Sequence, residues 1–528
     1  MRADRRAVLS GAASTAALAV AGRAPAVAQA ASRTLKFIPA GDLSSLDPVV
    51  TTGDPIRNHA YMVYDTLFAT DDRFQVHPQM AESCQVSLDG LTWTIRLREG
   101  LRFHDNVPVL ARDCVASIRR WSARDPLGQT IAAVTDDLAA EDDRTIRFRL
   151  SAPFPMLAEV LGKAASPVPF MMPERVAQTD ANTQIRDAIG SGPFRFLPDE
   201  WLPGSRAAYA RFNGYQPRNE PPNGAAGGKV AYLDRIEWHI LPDPGTAAAA
   251  LQSGEMDWYE QVDSNLVPLM RAAKDVVVDS FTSGYGTILR MNHLQPPFDD
   301  VVARQAVLAA VNQTDYLDAM AGDPSQYQVC KSFFFCGTPM ANAAGADAMT
   351  ESIPRARQLL AASRYNGEKV VIPSPADLPW LHAAGLVTED LLKRLGMNVE
   401  LVVTDLGTFY ARRNSTEPVS RGGWSIFHTG TAAVNLMSPA FHLVLRTNGR
   451  AAWPGWPTDP VIEELRLDWI KAGDQPTRVA IAAKVQRQAF RSVPYVPLGQ
   501  RRSMTAYRKT VSGIQQGSAP FAWNVRKA

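Results

Sequence analysis

The chain has 528 residues, 46% hydrophobic and 20% charged, with 35 Gly, 38 Pro and only 4 Cys. That length suggests about two to four domains, and the composition argues against extensive disorder and against a disulfide scaffold. A formal net charge of +2 gives no electrostatic reason to expect a nucleic-acid partner.

Residues 1–30 read as an export signal. Arg5-Arg6 precede a mild apolar stretch from Ala7 to Ala21, and Ala28-Gln29-Ala30 forms a small-x-small cleavage site. The paired arginines favour the twin-arginine route. The stretch is too short, and too rich in Ala and Gly, to span a bilayer core of ~30 Å. The alternative is an uncleaved amphipathic anchor. Residues 1–30 hold four Arg and one Asp, so the mature chain carries 51 basic and 52 acidic residues, a net charge of −1. No later apolar run approaches the length of a span, and no cysteine precedes Cys84 to take a lipid near the cleavage site. The expectation is a free periplasmic protein without stable membrane insertion.

Further along, Asp89-Gly90 marks a turn, after which Leu91, Trp93, Ile95 and Leu97 alternate with Thr92, Thr94, Arg96 and Arg98. Such period-2 alternation predicts a strand with one packed and one wet face. Cys84 and Cys114, in strand-like and helix-like contexts, read as buried free thiols. Val115, Ile118 and Trp121 recur at helical spacing, and Ile146, Phe148 and Leu150 repeat the strand pattern. The Pro- and Gly-rich segment Gln216–Lys229 reads as an exposed connection before a third strand through Ile236, Trp238 and Ile240. Val302, Ala306, Val307, Ala310 and Val311 form a helical stripe. Cys330 and Cys336 flank Lys-Ser-Phe-Phe-Phe; outside the cytoplasm a bridge there would staple a small loop, worth roughly 2 kcal/mol. Ser374–Pro379 reads as a turn. A helix is expected from an N-cap at Thr388 through Leu391, Leu392 and Leu395 to Gly396, followed by a strand through Val399, Leu401 and Val403. Mixed α/β structure in at least two lobes follows from these patterns.

Enzyme motifs are missing. There is no G-x-S-x-G elbow, no H-E-x-x-H and no Walker loop, and no Cys or His cluster has metal-ligand spacing, so neither metal nor cofactor is called for. Gly284-x-Gly286 lacks the third glycine of a dinucleotide fingerprint and marks a bend or hinge. The pairs Asp142-Asp143 and Asp299-Asp300 read as solvated turns. Triads are assembled in space, so a secreted hydrolase stays open as an alternative class, as does a ligand-loaded signalling partner.

Several blocks nevertheless occur in a familiar order: Ser45-Leu46-Asp47-Pro48, Val63-Tyr64-Asp65-Thr66-Leu67, Pro78–Ser83, Ser87–Trp93, Leu97–Asp105, Ser191-Gly192-Pro193-Phe194, Leu251–Asp257 and Pro297-Phe298-Asp299-Asp300. Together they resemble the extracellular solute-binding proteins of family 5, the peptide, nickel and oligosaccharide receptors of ABC importers. The resemblance implies a non-enzymatic, monomeric α/β receptor of Venus flytrap form, in which two lobes close on ligand and an extra subdomain sits on lobe I. Lobe I is then expected over residues 32–283 and lobe II over 284–495, with a return to lobe I over 496–528. Crossings fall at Gly284-x-Gly286 and Pro494–Pro497. The implied partners are a small-molecule or short-peptide ligand and the transmembrane permease subunits.

The family's pocket segment corresponds to Gly422–His428. Peptide-binding members commonly carry an Asp three positions after the Trp, where this chain has Phe427; a free peptide amino terminus would lack its partner there. The resemblance therefore makes Trp424, Phe427 and His428 candidate ligand residues in an aromatic wall, with core packing as the alternative for the two aromatics. Tyr285 near the hinge, Asp54 in the loop after the first strand, Asn435 and Arg446 complete the candidates. Arg446 is suited to clamping a carboxylate or to a surface ion pair. An N-blocked or short peptide, an oligosaccharide, and an aromatic or opine-like metabolite all stay open as cargo.

Overall fold

Thr34–Ile38 anchors the first sheet, with Leu35 and Phe37 buried on either side of a half-buried Lys36. It lies parallel to Arg235–His239 on one side and to Trp258–Tyr259 on the other. The computed structural model describes residues 33–281 and 284–528, so the expected export signal lies outside the described residues. Seven strands run in the order Phe194–Phe196, Arg206–Arg211, Arg235–His239, Thr34–Ile38, Trp258–Tyr259, Met504–Arg508, Val276–Ser280. Ile236 and Trp238 are buried, as their alternation demands, and Trp238 packs on Phe37 and Tyr209.

A second, antiparallel sheet of four strands runs in the order Ala81–Val86, Thr92–Leu97, Thr145–Leu150, Thr135–Ala140. Trp93, Ile95, Leu97, Ile146, Phe148 and Leu150 form its dry face, covered by Cys114, Val115, Ile118 and Trp121 of helix Ala111–Ser122. Its wet face holds ion pairs such as Arg96–Glu82 and Arg147–Asp137, exposed contacts that solvent screens strongly. Cys84 departs from expectation: its strand is at the sheet edge, so the thiol is half-buried, while Cys114 is fully buried.

The third sheet has Tyr285–Met291 at its centre, between Ile426–Ala432 and Val496–Arg501, with Tyr327–Gln328 at one edge. Beside it, Lys369–Pro375 and Asn398–Thr404 pair in parallel, joined by helix Pro379–Leu395. The α/β unit is as expected, but Thr388 is not its N-cap. The helix begins nine residues earlier, at a proline that suits the first turn. Thr388 is buried mid-helix, and its hydroxyl meets the Tyr316 hydroxyl at 2.8 Å and His428 Nε2 at 2.7 Å. Gly396 closes the helix with φ of 89°, a conformation that favours glycine.

Two further segments differ from the sequence reading. Gln216–Lys229 is loop, but its second half is buried, and Lys229 is ion-paired to Asp65 at 2.7 Å beneath Trp523. Pro497 is paired inside Val496–Arg501, so the chain leaves the third sheet only after Arg501, before Met504–Arg508 joins the first. The other passage lies between Ser280 and Tyr285. Cys330 and Cys336 are joined by a disulfide, with Cα atoms 6.1 Å apart. Among the described residues no helix is long and apolar enough to cross a membrane.

Candidate ligand-binding site

A cavity of about 500 Å³ opens where the three sheets' loops meet. One wall comes from helix Asp54–Val63, which contributes Asp54 and Arg57, and from Asp125–Leu127, Lys163 and Ser166 around helix Pro126–Ala133. The opposite wall is built by Tyr285, by Thr429–Ala432 at the end of strand Ile426–Ala432, and by Asn435. Tyr410 and Arg413, from helix Leu406–Arg413, and Trp453, Arg446 and Arg466 close the remaining side.

Five cationic side chains line this space against two carboxylates, Asp54 and Asp125. Both carboxylates are taken. Asp54 accepts from Arg57 at 3.0 Å and from the Tyr285 hydroxyl at 2.8 Å. Asp125 pairs with buried Lys163 and also caps helix Pro126–Ala133, accepting from the Leu127 and Gly128 amides. Behind the wall Glu463 serves two cations, Arg446 at 3.1 Å and Arg466 at 3.8 Å, while Arg466 also donates to the His442 carbonyl.

Arg413 is different. Its guanidinium carbon stands 4.8 Å from the Tyr410 ring centre, 5.0 Å from Trp453 and 5.9 Å from Phe427. Among the described residues it has no ion pair, and its buried Nε has no hydrogen-bond acceptor. Ring quadrupoles hold the cation, and burial lowers its pKa. Among the described residues Arg413 is the lining cation with no carboxylate partner at all. Trp453 is held in turn by Arg290, a buried guanidinium that donates to the carbonyls of Val444, Trp453, Pro454 and Pro494.

Of the residues singled out from sequence, Asp54, Tyr285, Asn435 and Arg446 line the cavity together. Asn435 donates to the Thr431 hydroxyl at 3.2 Å. Trp424, Phe427 and His428 do not line it. Trp424 and Phe427 are fully buried, edge to face at 4.8 Å, in a cluster with Phe409 and Trp456. Phe427 backs Trp453 at 5.4 Å and so supports the wall from behind. His428 points to the other face of its strand, toward Thr388, and burial depresses its pKa to about 3. Arg413, Tyr410 and Trp453 were missed. The one local signal was Tyr410 and Arg413 three apart on a helix.

The family described as bacterial extracellular solute-binding proteins, family 5 Middle, matches residues 75–450. The chain is 38% identical over 497 residues to the probable peptide ABC transporter periplasmic-binding protein y4tO of Sinorhizobium fredii (strain NBRC 101917 / NGR234), with 92% of each covered. Among solved structures, the PBP AgaA of A. tumefacien R10, in complex with agropinic acid, matches with a TM-score of 0.76 at 22% identity, covering 94% of this chain and 99% of that one. DppA from Helicobacter pylori, in complex with the peptide STSA, matches at 0.75 and 22%, covering 94% and 98%. The fold is therefore that of the two-lobed periplasmic binding proteins, and the family match spans most of the chain. The protein belongs to the bacterial extracellular solute-binding proteins of family 5, the periplasmic components that hand a captured solute to an ABC permease.

Proposed function

We propose that the cargo is a small solute bearing a carboxylate but no free ammonium, such as an N-blocked peptide or an opine-like acid, and that Arg413 clamps the carboxylate. The observation that carries this reading is the charge pattern of the cavity. Arg413 lacks an anion, whereas Asp54 and Asp125 are already neutralised by Arg57 and Lys163. A cargo ammonium would be desolvated without a partner, which is costly. A carboxylate would meet a guanidinium already pinned by aromatic rings, so little rotamer freedom is lost on binding. The name of the y4tO relative points to peptides, and an N-blocked peptide satisfies both constraints.

Lobe I is assigned to residues 33–281 and 504–528, and lobe II to residues 284–501, because the first and third sheets exchange the chain between those limits. The cargo leaves chemically unchanged. The Ser374–His382 pair at 2.9 Å and the Thr388–His428 pair at 2.7 Å both stand outside the cavity lining, whereas a hydrolase needs such a pair against its substrate.

Calorimetric titration of residues 31–528 with N-acetyl-Ala-Ala and with Ala-Ala tests the reading. The acetylated peptide is expected to bind more tightly. Arg413→Gln is expected to weaken it at least about 30-fold, since removing one partner of a desolvated charge pair costs roughly 2 kcal/mol or more. Equal or better binding of Ala-Ala, or an unchanged affinity in Arg413→Gln, would contradict it.

A further inference from the structure

A second chamber of about 490 Å³ adjoins the first and shares Lys163, Ala165 and Phe441 with it. Its wall is more apolar than that of the first. Phe68, Trp93, Met156, Met340, Met437 and Trp469 supply apolar wall, beside polar side chains such as Arg73, Gln75 and Gln475. Trp93 comes from the second sheet and Trp469 from helix Pro460–Lys471, so both lobes build it. Within its polar lining, Arg478 pairs with Glu159 at 3.0 Å and lies 5.3 Å over the Trp469 ring. At the neck, the Lys163 ammonium is already neutralised by Asp125. A neutral amide passes such a neck without leaving a charge stranded, and three thioether side chains let the chamber adapt to more than one shape.

We propose that this chamber seats an apolar arm of the same cargo molecule whose carboxylate meets Arg413, so that the transported class is an elongated N-acylated or apolar-capped acid. The proposal rests on the carboxylate reading above and extends it with a second subsite. An apolar cavity gains nothing from a hydrated polar cargo, but it gains from each methylene removed from water. Affinity should then rise about fourfold per methylene that enters, until the chamber is filled. The polar chamber alone would give no such dependence.

The experiment is calorimetric titration of residues 31–528 with N-acyl-Ala-Ala peptides carrying acetyl, butyryl, hexanoyl and octanoyl groups. At least a 100-fold gain from acetyl to octanoyl is expected in the unaltered protein. Met437→Gln and, independently, Ala158→Phe are expected to remove most of that gain while leaving the acetyl peptide's affinity within about threefold. Both positions line the second chamber and not the first, and two variants guard against one failing to fold. A flat chain-length series in which Arg413→Gln still weakens every member would overturn the second subsite and leave the carboxylate reading standing. A steep series indifferent to both Met437→Gln and Ala158→Phe would place the arm elsewhere and also overturn the inference. Failure of every member to bind would overturn both.

Discussion

A guanidinium caught among Tyr410, Trp453 and Phe427 is held by ring faces, yet its Nε lacks an acceptor. A buried donor without a partner costs about 1–3 kcal/mol, which an arriving carboxylate would recover. The neighbouring Asp54 site works the other way, because Arg57 and Tyr285 already saturate it. Deeper in the same wall lies Glu260, which accepts from the Ala40 amide and from Asn58, both at 2.7 Å. Burial, with a contribution from the nearby Asp54 charge, pushes its pKa up to about 7, against the opposing pull of Ala40, Arg57 and Asn58. A carboxyl raised in the folded state stabilises most below its ordinary value of 4.5, and that contribution is lost as pH rises through about 7. Glu260→Gln is therefore expected to melt higher than the unaltered protein at pH 8, with the gap closing toward pH 4.5. Thermal denaturation across that range reads it, and a gap that grows on acidification would contradict the assignment.

Elements built by alternation were legible because a strand with one wet face writes its geometry into every second residue. Trp93, Ile95 and Leu97, and again Ile146, Phe148 and Leu150, are buried where the pattern put them. The Gly422–His428 segment was harder, since a pocket wall and a core layer draw on the same aromatic residues. What separates them is the Trp456 and Phe409 packing against Trp424 and Phe427 from distant segments, which no local pattern encodes. Trp424→Ala is expected to cost about 3–5 kcal/mol of unfolding free energy, and urea denaturation measures it. An unchanged stability with lost ligand affinity would make Trp424 a wall residue after all. Thr388 misled for a related reason. Its hydroxyl satisfies His428 and Tyr316 inside the protein rather than a helix end, and a cap and a buried hydrogen bond ask for the same residue type. Arg413 escaped because its partners Trp453 and Phe427 come from other segments, brought up by the Arg290 fan of carbonyl contacts.

On the scale of the molecule, the cavity exists because the chain passes twice between its first and third sheets. Tyr285, just past one passage, reaches Asp54 across the cleft, and Arg478 reaches Glu159 at the far end. Closure is favoured only by contacts better made in the closed state, and a cargo that neutralises Arg413 while filling an apolar chamber supplies two of them. A receptor of micromolar affinity needs a net gain of only about 8 kcal/mol, so a largely pre-formed site suffices. The most direct measurement is mass spectrometry of small molecules released by denaturing residues 31–528 purified from the native periplasm. A stoichiometric compound with a carboxylate and a blocked or absent amine, carrying an apolar arm, is the expected result. A stoichiometric peptide with a free amino terminus, or a neutral sugar, would contradict the carboxylate clamp at Arg413.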